Sequence, residues 1–306
     1  MFTKTLHLVL ACAALLMVHR STAQYSNYIE PMQDIRGSSG INFDFGTNTF
    51  LGDLGGTKGL GKPFAKDFNS KTIRPYLGVS YTYFPYKWLS VKGGLHYTLV
   101  TGADSLITNK QGNARGRFDR NLSFKSGIEE LSAEVEWYPL QLIPRFEEAR
   151  VRPFIGSGIG LFHFNPKAKL AGKWYDLKPL HLEGQGFTEY PEQKNYKLIQ
   201  PYLPITMGVK YRISNSYFIS LSGCFRKTFT DYIDDVSTTY IDPNLFDKYL
   251  SPANATIAKQ LYYRGLNGEN STLWPRGYAS KDSYTSFFFT ITYLFDNRRG
   301  YDYIGN

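Results

Sequence analysis

Apolar and polar residues alternate with a period of two in eight segments of this chain, and no other feature restricts its fold as strongly. In the segment WLSVKGGLHYTLV, Leu89 and Val91 alternate with Ser90 and Lys92. Successive side chains of a β-strand point to opposite faces, so such a segment predicts a strand with one apolar and one polar face. We therefore expect eight β-strands, the first at GINFDFG and the last at SYTSFFFTITYLF.

The two faces of these segments differ in charge. The apolar rows are rich in Tyr and Phe and carry almost no charge, and aromatic residues make up 16% of the chain. The polar rows contain Asp44, Lys92, Glu134, Glu136, Arg152, Lys210, Arg212 and Arg226. A soluble lipocalin-like barrel buries its apolar rows, whereas a transmembrane barrel turns them to lipid and keeps polar side chains in the lumen. The uncharged aromatic rows favour the transmembrane barrel.

Short and long connections alternate between the segments. Short ones lie near Tyr86, near Asn215 and at residues 139–149, and long ones span residues 50–72, 101–121, 165–198 and 230–283. Outer-membrane barrels have short periplasmic turns and long extracellular loops. The sequence therefore predicts an all-β fold, an eight-stranded antiparallel transmembrane β-barrel of the outer membrane, over residues 39–295.

The first 23 residues have the order of a secretory signal peptide. Lys4 precedes a long apolar run, and small residues at 21–23 provide a cleavage site. We expect Sec-type export to the cell outer membrane and cleavage before Gln24. Residues 24–38 would then form a periplasmic N-terminal segment.

Composition restricts the partners of the exported chain. Signal removal takes away Lys4 and Arg20, which lowers the formal charge from +9 to +7, and leaves Cys224 without a disulfide partner. A lipoprotein acylated at Cys12 is the weaker alternative, because the cut would fall inside the apolar run. The basic residues form no run, so no nucleic-acid partner is expected. A basic exported barrel suits contact with the phosphates of outer-membrane lipid and lipopolysaccharide.

The charged polar rows predict a filled lumen. An eight-stranded barrel is just wide enough for side chains to occupy its interior. Both signs of charge occur in these rows, so the residues are expected to pair and plug the tube. A small polar channel is the functional alternative.

The stretch TDYIDDVSTTYID (residues 230–242) holds the strongest candidate metal ligands, Asp231, Asp234, Asp235 and Asp242. Their spacing does not match a calcium-binding EF-hand loop, which needs a central Gly and a closing Glu. A looser calcium site remains open. The structural interpretation is that these carboxylates bond to nearby backbone amides and shape the loop.

The same stretch gives two further expectations. Tyr232 and Tyr240 suit the membrane rim, where amphipathic rings are common. Pro243 can start one or two short helices in the apolar-spaced segment that follows.

Three histidines remain as candidates for catalysis after signal removal. His96 is predicted to face the lumen, and His163 and His181 to lie at the rim or in a loop. Local sequence places no serine or acid beside His96, as a Ser-His-carboxylate site requires. We therefore expect no catalytic residue and no cofactor.

Two segments resemble the signature stretches of the PorG-like family of Bacteroidota outer-membrane β-barrels, which includes a component of the type IX secretion system. They are DRNLSFKSGIEELSAEVEW (residues 119–137) and TDYIDDVSTTYID. The sequence departs from the pattern of this family in two ways: loops 165–198 and 230–283 are long, and eleven residues follow Phe295. The matching residues are Asp119, Arg120, Asn121, Ser123, Phe124, Lys125, Ser126, Asp231, Tyr232, Asp234, Asp235 and Val236.

The resemblance implies a non-enzymatic, accessory or anchoring barrel of the type IX machinery, associated with a periplasmic ring of PorK- and PorN-like proteins. The alternatives are a lipid-A-modifying or other rim-site outer-membrane enzyme and an orphan structural barrel.

A periplasmic C-terminal tail is expected at residues 296–306. Its Arg298, Arg299, Tyr301 and Tyr303 are of the types enriched at interaction hot spots, which makes the tail a candidate partner surface. The alternative is a frayed terminus.

Overall fold

The computed structural model describes residues 33–54, 70–107, 113–266, 275–278 and 280–295, with the side chains of residues 113 and 114 excepted. The chain divides into two compact units, residues 1–33 and 34–306, and of the first unit only Gln33 is described. The expected signal peptide, most of the expected N-terminal segment and the expected C-terminal tail, with Arg298, Arg299, Tyr301 and Tyr303, lie outside the described residues.

Eight of the strands form one closed antiparallel barrel, which confirms the predicted fold class. The strands are β1 (Ser39–Leu51), β2 (Arg74–Tyr86), β3 (Leu89–Ala103), β4 (Ser123–Trp137), β5 (Val151–Leu170), β7 (Ile199–Arg212), β8 (Tyr217–Thr228) and β9 (Ser283–Phe295). The sheet order runs β4-β3-β2-β1-β9-β8-β7-β5, and β4 pairs with β5 to close it.

A ninth strand lies outside the barrel. β6 (Lys173–Asp176) pairs with the end of β5, from Lys167↔Asp176 to Leu170↔Lys173. The two-residue turn between them, Ala171 and Gly172, has positive φ at both positions, as tight hairpin turns require. The fifth strand therefore continues well into the loop expected from residue 165, because it gains a hairpin partner there.

Side chains alternate between the lumen and the outside along every barrel strand. Apolar residues of the predicted rows face outward, for example Leu95 at 65% and Ile159 at 68% exposure, while polar rows and some aromatic residues are buried inside. An apolar exterior around a polar interior is the arrangement of a transmembrane barrel. None of the helices formed by the described residues has the length and hydropathy needed to cross a membrane.

The short connections lie at one end of the barrel, here called the turn end. They comprise the β2–β3 turn, the β7–β8 turn and residues 138–150, which contain the 3-10 helices Pro139–Leu142 and Pro144–Phe146. The opposite end is called the loop end.

Among the described residues, three α-helices lie at the loop end: α1 (Asn113–Arg120), α2 (Leu245–Tyr249) and α3 (Pro252–Tyr262). The Ser251 hydroxyl caps α3 by accepting from the Asn254 backbone N–H, and Pro252 opens the helix. Two short helices after Pro243 confirm the expectation for that segment. The remaining 3-10 turns are Ser70–Thr72, Asp104–Leu106 and Lys178–Leu180.

The long connections pack together into a structure that we call the cap, made of described residues 52–54, 104–107, 113–122, 171–198, 229–266, 275–278 and 280–282. Its inner part shares a core with the barrel mouth, formed by Phe50, Leu54, Leu122, Phe124, Phe164, Tyr196, Ile233 and Val236. Its outer part has a core of its own, formed by Leu177, Leu180, Leu182, Phe187, Phe246, Ala258, Leu261 and Tyr262. Burial of these apolar side chains holds the loops in one arrangement.

Candidate functional site: a plugged lumen beneath a charged cap

Near the turn end, the lumen is filled by a charged group around Glu136. Lys210 Nζ donates to Glu136 Oε2 at 2.9 Å and to the Tyr138 hydroxyl at 2.8 Å. Ser90 and Tyr138 also donate to the Glu136 carboxylate. All four residues are buried, so their charges and dipoles are satisfied by one another.

Farther along the lumen, Asp44 and Glu130 are the acceptors of a second group. Lys92 Nζ donates to Asp44 Oδ2 at 3.3 Å, and His96 Nε2 lies 3.2 Å from the same oxygen. Arg226 Nε lies 2.8 Å from Glu130 Oε1. Glu130 was not among the predicted network residues, although it belongs to the same inward row as Glu134 and Glu136.

The remaining predicted lumen residues find neutral partners. Glu134 accepts from Thr206 at 2.8 Å. Arg152 donates to the Lys87 carbonyl, and Arg212 donates to the Ser214 carbonyl at 3.3 Å. Arg152 and Arg212 thus end the lumen row at the turns.

His96 has acidic neighbours that its local sequence does not reveal. Asp44 and Glu130 come from β1 and β4, so they lie beside His96 in space although they are far from it in the sequence. Ser80 Oγ also lies nearby, but it donates to Asp44 at 3.5 Å. A hydrolytic triad needs the serine on the imidazole. Ser80 and His96 instead share the Asp44 carboxylate as their acceptor.

The other two histidines lie outside the lumen. His163 faces outward on β5, with Nδ1 3.4 Å from Glu129 Oε2. His181 has positive φ in the cap, and its Nδ1 lies 2.7 Å from the Gln185 carbonyl oxygen.

In the cap, two buried arginines hold the loops together. Arg120 pairs with Asp104 at 2.7 Å and donates to the Asp53 carbonyl at 3.1 Å. Arg276 pairs with Glu183 at 2.9 Å and lies 3.7 Å from Asp235. Each guanidinium thus links segments that are far apart in the sequence.

The first family-like segment connects the cap to the barrel wall. Asn121 has a φ of 56° and donates to the Arg264 carbonyl at 3.2 Å. Phe124 packs edge-on against Phe50 with ring centroids 4.9 Å apart. The half-buried Asp119 pairs with the exposed Arg115, and Ser123 accepts from Arg264. Lys125 lies over the Trp174 ring, and Ser126 accepts from the Asn165 amide.

The second family-like segment turns sharply, and its aspartates diverge. Asp235 has a φ of 62° and accepts from the Tyr196 hydroxyl at 2.8 Å. Asp234 accepts from the backbone amides of Val236 at 3.0 Å and Leu54 at 3.2 Å. Both family-like segments therefore meet at residues Asp53 and Leu54, because Arg120 of the first segment also bonds there.

The expectation that Tyr232 and Tyr240 lie at the membrane rim is wrong. Tyr232 stacks on Tyr196 inside the cap, with ring centroids 4.7 Å apart, and donates to Gln193. Tyr240 packs against Tyr262 and Tyr263 in the outer core. The cap encloses both rings because its loops form their own apolar core.

Four aspartates, Asp53, Asp231, Asp234 and Asp282, form a buried carboxylate cluster in the cap. Burial, reinforced by repulsion among these groups, raises the pKa of Asp231 to about 8. Burial outweighs the nearby arginines and raises the pKa of Asp53 to about 6. The pKa values of Asp234 and Asp282 are well above the ordinary range for the same reasons. Near pH 7, Asp231 is therefore mostly protonated, whereas Asp53 is mostly ionised.

The predicted metal ligands do not converge. Asp242 is exposed and accepts from the Asn244 amide at 2.9 Å, whereas Asp231, Asp234 and Asp235 are buried. Within the part of the chain that the structure describes, no group of three His, Cys, Asp or Glu side chains is arranged to hold a metal ion. The contacts of the aspartates are those of groups that shape a loop.

No family model and no curated protein matches the chain, whereas a search of solved structures finds similar folds. Neisserial surface protein A matches with a TM-score of 0.39 and 8% identity, covering 84% of this chain and 97% of that one. Ail of Yersinia pestis matches with a TM-score of 0.37 and 8% identity, covering 85% and 99%. A major outer membrane protein of Thermus thermophilus matches with a TM-score of 0.35 and 12% identity, covering 84% and 99%. No ligand or activity of these proteins transfers to this chain.

Proposed function

We propose that this chain is a non-enzymatic barrel of the outer membrane that acts as a closed anchor. The observation that carries this proposal is the filled lumen inside an apolar wall. Charged side chains pair across the interior, for example Lys210 with Glu136 and Arg226 with Glu130, and the outward rows are apolar. A barrel of this kind is stable in lipid and leaves no path for solutes.

The anchoring role follows the PorG-like resemblance. The two resembling segments meet in the cap around Asp53 and Leu54, so they shape one structure at the loop end. The turn end would then face the periplasm and a PorK- or PorN-like ring. There Leu142 and Ile143 are exposed apolar residues beside an ion-pair group in which Lys87 contacts Glu147 and Glu148. Exposed apolar side chains rimmed by charge are typical of protein interfaces.

Crosslinked pull-down from outer membranes, read by mass spectrometry, tests this role. The full chain is expected to recover PorK- and PorN-like ring proteins, and the double variant Leu142→Asp, Ile143→Asp to recover much less of them. Leu266→Asp, at an equally exposed leucine of the loop end, is the matched control and should leave recovery unchanged. Resistance to urea extraction verifies that each variant is inserted.

Two outcomes would contradict the proposal. Recovery of no periplasmic protein by the inserted chain would favour an orphan structural barrel. A changed lipid A mass spectrum in a deletion strain, restored by the intact gene, would favour a rim-site enzyme.

A further inference from the structure

The segment just before β1 folds back over the turn end of the barrel. Its residues 34–38, here called the strap, place one apolar side chain, Ile35, inside the barrel floor. Ile35 is 2% exposed, while Arg36 beside it is exposed. The apolar socket that receives Ile35 is formed by Phe84, Tyr138, Phe154, Phe218 and Leu294. The strap therefore closes the turn end of the lumen with a single side chain.

A tight turn holds the strap in this position. The Ser38 backbone N–H donates to the Ile35 carbonyl at 3.0 Å, and the Gly37 N–H donates to the Phe84 carbonyl at 2.7 Å. Gly37 has a φ of 74°, a conformation that residues with a side chain adopt only at a cost. The direction in which Ile35 points thus depends on a glycine at position 37.

The strap also contributes a carboxylate to the turn end. Asp34 accepts from the Arg36 backbone N–H at 2.8 Å, and its carboxylate lies 3.7 Å from Lys87 Nζ. Glu147 and Glu148 approach the same ammonium at 2.8 and 2.5 Å, and their side chains are nearly half exposed. Ion pairs with this exposure contribute little to stability. Asp34 therefore adds only a weak attachment to that of Ile35.

The lumen next to the socket holds three cations, Arg152, Lys210 and Arg212, which we call the vestibule. Arg152 is the register partner of Lys210, and Arg212 follows Lys210 on the same face of β7. Arg152 and Lys210 both lie 5.3 Å from the centroid of the Tyr138 ring, a wall of the socket. Lys210 pairs with Glu136. Among the described inward residues of this end, positive charge therefore exceeds negative charge.

Arg152 is enclosed without all of its hydrogen bonds. It is 1% exposed, and its guanidinium donates to the Lys87 carbonyl. Its Nε–H finds no acceptor among the described residues. Asp34 and Glu148 act on its charge at longer range, while both contact Lys87. A buried donor without an acceptor favours any arrangement in which water or an anion reaches it.

Two opposing terms therefore set the position of the strap. Burial of Ile35 stabilises the closed arrangement, whereas enclosure of the unbonded Arg152 Nε–H destabilises it. These two free energies are of similar size, so the strap can leave the socket while the strand ladder of the barrel stays intact. Its departure also withdraws Asp34, which increases the excess of positive charge at the vestibule.

We propose that the strap is a gate over the vestibule: Ile35 closes it, and release of the strap admits a small anion to Arg152. A carboxylate or sulfonate suits this site, because both accept hydrogen bonds from a guanidinium. The gate goes beyond the proposed anchoring function and is compatible with it. The second charged group of the lumen, in which Lys92 pairs with Asp44, still fills the tube beyond the vestibule.

Thiol labelling of the inserted full chain tests the gate. Ser90 is fully buried beside Glu136 and Tyr138, so Ser90→Cys in a Cys224→Ser background reports access to the vestibule. The probes are an anionic and a cationic methanethiosulfonate of similar size. Ile35→Asp is expected to speed anionic labelling at least about tenfold, since the buried isoleucine changes the ratio of closed to open strap by that factor. Cationic labelling should gain less, because the vestibule repels the reagent.

Gly37→Val releases the strap through the backbone alone. A Cβ at position 37 meets no atom within 4 Å, so the strained φ is the sole disturbance, and anionic labelling should rise about fivefold or more. Ile213→Asp, at an exposed isoleucine of the same end, is the matched control and should leave labelling unchanged. Native Cys224 lies nearer the loop end of β8 and should stay slow to react in every strap variant.

Unchanged anionic labelling of Ser90→Cys in either strap variant would overturn the gate. Equal acceleration of the two reagents would overturn it as well, because the vestibule would then not select anions. Equal acceleration at Cys224 would show that the whole barrel had opened, which also contradicts a local gate. Ion conductance by the inserted Ile35→Asp chain is a separate result, which would contradict the closed anchor of the proposed function.

Discussion

The lumen and the cap both bury many charged groups, but they neutralise them differently. In the lumen, charges of opposite sign contact each other: Lys92 pairs with Asp44, and Lys210 pairs with Glu136. In the cap, Arg120 and Arg276 are paired, yet Asp231, Asp234 and Asp282 remain as like charges beside Asp53. Like charges in a buried site are tolerated when they bind protons. The cap is therefore expected to respond to pH through the carboxyls of this cluster.

The difference follows from how each region is built. Strand register fixes every lumen partner, because the closed ladder leaves each inward side chain one set of neighbours. The cap aspartates come from two loops, the β1–β2 loop and distant parts of the β8–β9 loop, which meet only after folding. The strand register thus places charges of opposite sign next to each other in the lumen, whereas the packing of the loops brings aspartates together in the cap.

The largest expected effect comes from breaking the charge pairing of the cap. Arg276→Gln leaves Glu183 and Asp235 buried without their cation, so we expect the cap to lose about 3–5 kcal/mol of stability. Limited proteolysis of the cap in the inserted protein measures this loss. Arg115→Gln, at an exposed arginine of the same cap, is the control. Equal protease resistance in the two variants would contradict the structural role of Arg276.

A lumen change should cost less than this and leave permeability alone. Glu136→Gln leaves the buried Lys210 without a carboxylate, so we expect a loss of about 3 kcal/mol in barrel unfolding by urea. Ion conductance in planar bilayers should stay at the level of a protein-free bilayer, since the lumen is filled. A conductance that changed with this substitution would show that the lumen is a channel.

The cap should weaken as pH rises. Its aspartates have raised pKa values when folded, so their contribution is complete below the unfolded pKa near 4 and is lost as pH rises through about 6 at Asp53 and about 8 at Asp231. Cleavage of the cap is expected to be at least about tenfold faster at pH 9 than at pH 5. Asp231→Asn should flatten the upper part of this profile, whereas Asp242→Asn, at an exposed position, should leave it unchanged. A pH-independent cleavage rate would count against a protonated cluster.

The smallest effect is expected at the cap surface. Lys259→Gln removes an exposed pair with Asp247, and such pairs contribute about 0.5 kcal/mol or less. Thermal unfolding should shift by no more than a degree or two. A decrease in unfolding temperature as large as that caused by Arg276→Gln would contradict the expectation that exposed ion pairs stabilise the protein less than buried ones.

The barrel could be predicted from the sequence because each strand is marked by the alternation of apolar and polar residues within its own segment. Alternation identifies each strand and the face of each side chain, and it placed the eight named lumen residues in one inward set. Which of them pair could not be predicted, because that depends on register. Glu130 shows this, since only the closed barrel brings it to Arg226.

The cap lay beyond prediction for a physical reason. Its contacts join segments far apart in the chain, such as Arg120 with Asp53 and Arg276 with Glu183, and no local period encodes them. The sequence suggested that Tyr232 lies at the membrane rim, because the ring that covers it, Tyr196, belongs to another loop and cannot be recognised from the neighbouring sequence. The two PorG-like segments could be recognised from the sequence, but their contact at Asp53 and Leu54 could not be predicted.

The pairing of β1 with β9 has a consequence for how the protein is made. These strands are the first and last of the barrel in the chain, and they are joined along thirteen residue pairs, from Ser39↔Phe295 to Leu51↔Ser283. Without β9, a sheet of the other barrel strands would be open and would have two unpaired edges. Closure must therefore wait for the whole strand sequence and joins its most distant parts, which makes it a slow and late step in biogenesis.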